Sequence, residues 1–191
     1  MASKCNFCKK KGKRFCVVLQ ENICSSCCGS KREREIECVV DCDFYRDSKI
    51  KENEKAALKI TKETFAYKYD DFLKQEKNSQ TAGPFEEFVF INYYDDMSVD
   101  DYAILHAYIK IYYLLQGEEQ LYELEDYELA MYNKFLEVTR KNNISNENSQ
   151  WLILKLIESI NTFSNEKTGR REYLEMLRGM MTKTGRMGHL F

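Results

Sequence analysis

All eight cysteines of this 191-residue chain lie between Cys5 and Cys42, and the 149 residues after Cys42 contain none. A segment that short, with few large apolar side chains, cannot bury enough surface to fold on hydrophobic contacts alone. It needs a cross-link. The opening MASKCNFCKKKGKRFC has no apolar stretch of the kind a secretory leader carries, so a cytoplasmic chain with reduced thiols is expected. In that setting a metal outranks disulfides as the cross-link.

The spacing is Cys5-x2-Cys8-x7-Cys16-x7-Cys24-x2-Cys27-Cys28-x9-Cys38-x3-Cys42. Eight thiols divide into two sets of four, a common way to close a structural zinc site. Cys5/Cys8 and Cys24/Cys27 are matching knuckles and are assigned to site 1. Cys16, Cys28, Cys38 and Cys42 remain for site 2, with Cys38 and Cys42 spaced to share one face of a helical turn. The adjacent thiols Cys27 and Cys28 then serve different metals, interleaving the two sites as a cross-brace. The alternatives are one zinc with spare thiols, an iron–sulfur cluster, and a redox or disulfide role. The compact Cys-x2-Cys-x2-Cys run of bacterial ferredoxins is absent.

The stretch ICSSCCGSKREREIECVVDCDFYR resembles the cysteine head of a poorly characterised group of bacterial proteins, with CxxC, a lone Cys, then CxxCCGxKRxxEIxCxxxCxY. More loosely, it is similar to cross-brace zinc fingers of the HIT and MYND kind. The resemblance covers about residues 5–46, and Val39 and Val40 stand where such heads often carry proline. It implies zinc and a compact interaction module, and it implies no reaction.

Charge is segmented along the chain. Residues 1–50 carry 11 basic and 7 acidic side chains, residues 70–128 carry 3 and 15, and residues 129–191 carry 10 and 6. A basic head, an acidic middle and a basic tail are not a uniform nucleic-acid binder. The candidates for nucleic-acid contact are Lys9, Lys10, Lys11, Lys13 and Arg14 between the first cysteines, and Lys31, Arg32 and Arg34 after the Cys-Cys-Gly turn. Phe7 and Phe15 stand close to them for stacking, and Arg170, Arg171, Arg178 and Arg186 supply a basic tail. Against this, eight thiolates with two zinc dications offset the head's positive balance, and Glu33, Glu35 and Glu37 interleave with its cations.

Beyond the head the chain reads as helices. One proline and eight glycines in a 43% hydrophobic, 31% charged composition describe a folded, helix-rich chain. Helices are expected over 48–77, including Leu58, Phe65, Phe72 and Leu73, and over 99–115, apolar nearly all round and therefore central. Further helices are expected over 118–141 and 147–164, and a last short one contains Tyr173 and Leu177. SQTAGP at 79–84 is expected as a break, with Pro84 opening a short helix, and Ser98 as an N-cap. No apolar run reaches the ~20 residues of a membrane span.

The expected fold is therefore mainly α. A cysteine-rich zinc-binding module over 1–46 precedes an α-helical bundle of five or six helices over 47–181 and a flexible tail over 182–191. No catalytic constellation is visible. YYDDMSVDDY, 93–102, reads as a loop with a helix cap, His106 as a core histidine bonded to a tyrosine or carbonyl, and His189 as part of the tail. Neither GxSxG nor HExxH occurs. The functional expectation is a non-enzymatic regulatory adaptor with two zinc ions, acting through protein–protein contact. Its acidic middle would suit a basic partner or a homodimer. The runner-up is a nucleic-acid-binding regulator, and a metal-dependent hydrolase or redox protein comes third. The wealth of Lys, Asn, Glu, Ile and Tyr is that of AT-rich coding, as in low-GC bacteria and their phages.

Overall fold

A computed structural model describes residues 4–65, 75–164 and 168–183. The expected helical positions Phe72 and Leu73, and Arg186 and His189 of the tail, lie outside the described residues. The chain forms two compact units, Met1–Glu52 and Asn53–Phe191. Mainly helical structure is the outcome, with seven α-helices and a two-stranded sheet among the described residues. No helix among them is long and apolar enough to cross a membrane.

The first unit starts with a knuckle, residues 4–11. It folds back so that the Cys5 N–H reaches the Lys10 carbonyl at 2.6 Å, and Lys9 takes a left-handed φ of 59° to close the turn. Strands β1 (Arg14–Cys16) and β2 (Glu21–Ile23) form an antiparallel hairpin with Phe15 opposite Asn22. Gly12 is required here by space: a Cβ on it would stand 2.9 Å from Asn22 Cβ. Helix α1 (Ser25–Lys31) follows, with Cys24 as its N-cap. Helix α2 (Asp43–Phe65) begins in this unit and runs past the expected module boundary at residue 46. The buried interior of the unit is thiols plus two isoleucines, Ile23 and Ile36. So little hydrocarbon stabilises a fold weakly by itself.

The second unit is a helical bundle. After α2 come α3 (Glu76–Tyr93), α4 (Asp101–Leu114), a 3-10 turn (Glu119–Leu121), α5 (Asp126–Lys141), α6 (Asn146–Ser164) and α7 (Glu172–Lys183). Helix α4 packs most extensively on α6, and α3 packs on α5 and α7. Ile104, Ile111, Phe85, Phe135, Met131, Leu152, Ile157 and Leu177 are fully buried between them. Central position explains why α4 is apolar nearly all round. Gly117, at φ 86°, ends that helix where a side chain would be strained.

Three expectations are corrected. SQTAGP is not a break: α3 runs straight through it with Pro84 inside. Proline removes the N–H that would bond the carbonyl four residues back, which is that of Gln80. The Asn142 side-chain amide donates to that carbonyl instead, at 3.4 Å, and burial of Thr81, Ala82 and Phe85 holds the segment in the bundle. The N-cap of α4 is Asp100 rather than Ser98, accepting from the Ala103 N–H at 2.8 Å. The expected helix over 118–141 is divided, because Glu128 accepts the Glu125 N–H at 2.9 Å and starts α5 afresh.

Candidate metal centre

The cysteines are placed by three short elements. The first knuckle presents Cys5 and Cys8, β2 leads into Cys24, and the first turn of α1 carries Cys27. Cys24 caps that turn with its own sulfur, accepting from the Cys27 N–H at 3.4 Å. The result is a cluster in which the sulfurs of Cys5, Cys8, Cys24 and Cys27 all lie within 4.8 Å of one another. Cys8 and Cys24 approach to 3.5 Å. A tetrahedral zinc with Zn–S bonds of about 2.3 Å requires sulfur separations of roughly 3.8 Å. The donor set therefore fits such an ion.

The electrostatics of the four sulfurs point the same way. Burial opposes ionisation of Cys5, but backbone N–H groups around it, with Cys8, bring its thiol down to about 6. Hydrogen bonds shared with Cys8 and Cys24 push Cys27 up to about 12. Four thiols this close cannot all ionise against one another unless a cation sits among them.

Cys16, Cys28, Cys38 and Cys42 are brought around a second place in this unit, a cavity of about 10 Å³ that Ile23, Ile36 and Phe44 also line. Cys28 is buried there and takes the Arg14 Nη1 at 3.5 Å and the Arg32 Nη2 at 4.0 Å. Among the described residues, only Cys5, Cys8, Cys24 and Cys27 have their sulfurs gathered to ligand distance. Cys27 and Cys28, successive on α1, point about 100° apart. One joins the sulfur cluster and the other lines the second cavity. All eight cysteines are free thiols.

The remaining sequence candidates are dispersed. Lys9, Lys10, Lys11, Lys13 and Arg34 are exposed, whereas Lys31 pairs with Glu35 at 2.5 Å and lies over the Phe7 ring. Arg170 pairs with Glu172, Arg178 bonds Tyr94, and Arg171 is spent on backbone carbonyls. His106 is not a core histidine bonded to tyrosine or carbonyl. It is half-buried, its Nδ1 3.1 Å from Glu54 Oε1, and its ring packs against Tyr102. Three acids of 93–102 serve backbone donors: Asp96 binds the Ser98 N–H, Asp100 that of Ala103, and Asp101 those of Tyr173 and Leu174. Sequence reading missed Glu86, buried in α3 with only the signal of an acid among aromatic residues.

Comparison with known proteins gives no significant match to a family model, a curated protein or a solved structure.

Proposed function

We propose that the chain is a non-enzymatic adaptor whose first unit folds around two zinc ions and binds another protein. The observation that carries this reading is the gathering of Cys5, Cys8, Cys24 and Cys27 in a unit with almost no hydrocarbon core. Bound there, zinc supplies the folding free energy that so small a unit lacks, and four thiolates leave it no open position for substrate. Cys16, Cys28, Cys38 and Cys42 would hold the second ion. Support comes from their shared cavity and from Arg14 and Arg32, whose N–H groups at Cys28 suit a negatively charged tetrathiolate.

Outside the sulfurs, the unit exposes Phe15 (51%), Val18 (40%), Val39 (43%) and Phe44 (39%). Apolar groups turned outward on a small unit suit a docking role better than a stabilising one. Asp96, Asp100, Asp101 and His106 have structural partners, which favours the adaptor reading over a hydrolase.

The test is a chelator titration of the full chain, followed by amide NMR, with partner capture from extract by wild type and by Cys24→Ser. Loss of dispersion confined to residues 4–52, and a captured protein that Cys24→Ser no longer holds, support the reading. Unchanged spectra after metal removal, or capture indifferent to Cys24, contradict it.

A further inference from the structure

An open groove of about 310 Å³ lies on the first unit, and none of the four clustered cysteines lines it. Arg14, Arg32 and Lys51 line it, with Asp47, Ser48 and Phe44. Arg14, Arg32 and Lys51 stand against the single carboxylate of Asp47, and of these cations Arg14 and Arg32 also reach Cys28 Sγ.

The two guanidinium groups are fixed in place before anything binds. Arg32 donates to the Phe44 carbonyl at 2.9 Å, and Arg14 lies 4.5 Å over the Phe44 ring. Immobilised donors lose less freedom on binding, which raises their worth to a ligand. The Nε donor of Arg32 is buried with no acceptor. Lys51 is exposed, two turns along α2 from Phe44, with no ion-pair partner among the described residues.

We propose that this groove binds an acidic segment of a partner polypeptide, placing two negative charges between Arg14, Arg32 and Lys51. Two neighbouring carboxylates or one phosphomonoester supply that charge, and both match guanidinium geometry. The exposed Phe44 in the groove wall suits an apolar residue flanking the acidic ones. A single-stranded nucleic acid fits less well. Phe7 and Phe44 each have a face occupied by a cation, which removes stacking surface. Asp47 in the groove and the exposed Glu33, Glu35 and Glu37 interrupt any continuous basic track. The proposal names the partner chemistry of the adaptor reading and rests on it.

The experiment is fluorescence anisotropy on the full chain with three labelled probes. One is a short peptide with two adjacent glutamates between leucines, the second replaces that pair by phosphoserine, and the third is an oligothymidylate. Variants are Lys51→Glu, Gly29→Glu and the control Lys55→Glu. A Cβ on Gly29 meets nothing within 4 Å, so its glutamate fits while bringing negative charge beside the groove. Lys55 is an exposed lysine of the same helix outside the groove.

Saturable binding of either peptide with Kd at or below ~1 mM is expected. Both groove variants should weaken it about tenfold and Lys55→Glu should leave it unchanged. The tighter peptide identifies the source of the charge. No peptide binding, equal binding by the groove variants and wild type, or tighter binding of oligothymidylate than of both peptides overturns the proposal. Zinc content of the same samples separates the two readings: metal-free wild type contradicts the zinc adaptor, whereas zinc-loaded protein without peptide binding contradicts the groove alone.

Discussion

Tyr173 donates its hydroxyl to Glu86 Oε1 across 2.9 Å, and both side chains are buried, joining α7 to α3. The Tyr108 hydroxyl lies 3.4 Å from that of Tyr173 on the other side. No cation pairs with Glu86 among the described residues. Burial therefore dominates and lifts its carboxyl from the usual 4.5 to about 7, against the opposing hydrogen bond from Tyr173.

A raised folded-state carboxyl stabilises the fold where it is protonated. Its contribution is complete below the unfolded value near 4.5, declines as pH rises, and is lost above about 7. Glu86→Gln should therefore be more stable than wild type at pH 8 by about 2–3 kcal/mol and little different at pH 4.5. Urea unfolding followed by the fluorescence of Trp151, the single tryptophan and a residue of the bundle, measures this. Parallel pH profiles for the two proteins would contradict the assignment.

Lys110 and Glu128 pair at 2.7 Å, with the Glu128 side chain only 3% exposed. Lys110→Met strands that carboxylate and should cost about 3 kcal/mol. Adding Glu128→Leu removes the stranded charge, and the double variant should lose only about 1 kcal/mol, the value of the lost helix cap. The same unfolding assay decides it, and a double variant worse than Lys110→Met would show that the charge is not what matters.

Arg171 gathers the chain end of α3 and the following loop. Its guanidinium donates to the carbonyls of Asp96 and Val99 at 2.9 Å each, to Tyr93 at 3.2 Å and to Tyr94. Arg171→Ala should destabilise the bundle by about 2–3 kcal/mol. Arg171→Lys keeps the charge but not the planar fork and should recover less than half of that loss. Thermal unfolding of the three proteins ranks them.

Cys27 and Cys28 are neighbours in sequence and separate in space. If they serve different metals, Cys27→Ser and Cys28→Ser should each lower bound zinc from two ions towards one, and a double variant should approach none. Zinc release by a mercurial, read with a colorimetric chelator, counts the ions. Full loss in one variant with none in the other would assign every ion to a single site.

Much of this arrangement is legible in the chain itself. The CxxC pairs of Cys5/Cys8 and Cys24/Cys27 pointed to one cluster, because two knuckles with matched spacing have few other ways to meet. The all-round apolar pattern of α4 announced a central helix. Other features depend on partners distant in sequence. Pro84 looked like a boundary because the donor that replaces its missing hydrogen bond, Asn142, comes from the end of α5. His106 looked like a core residue because Glu54 is supplied by α2. Glu86 carried only the signal of an acid among aromatic residues, and an acid within a helix is ordinary until packing buries it.

If two zinc ions build the first unit, native mass spectrometry of the freshly purified full chain will weigh two zinc ions per chain, both removed by denaturation. Iron in their place, or a metal-free chain that keeps residues 4–52 folded, would contradict it.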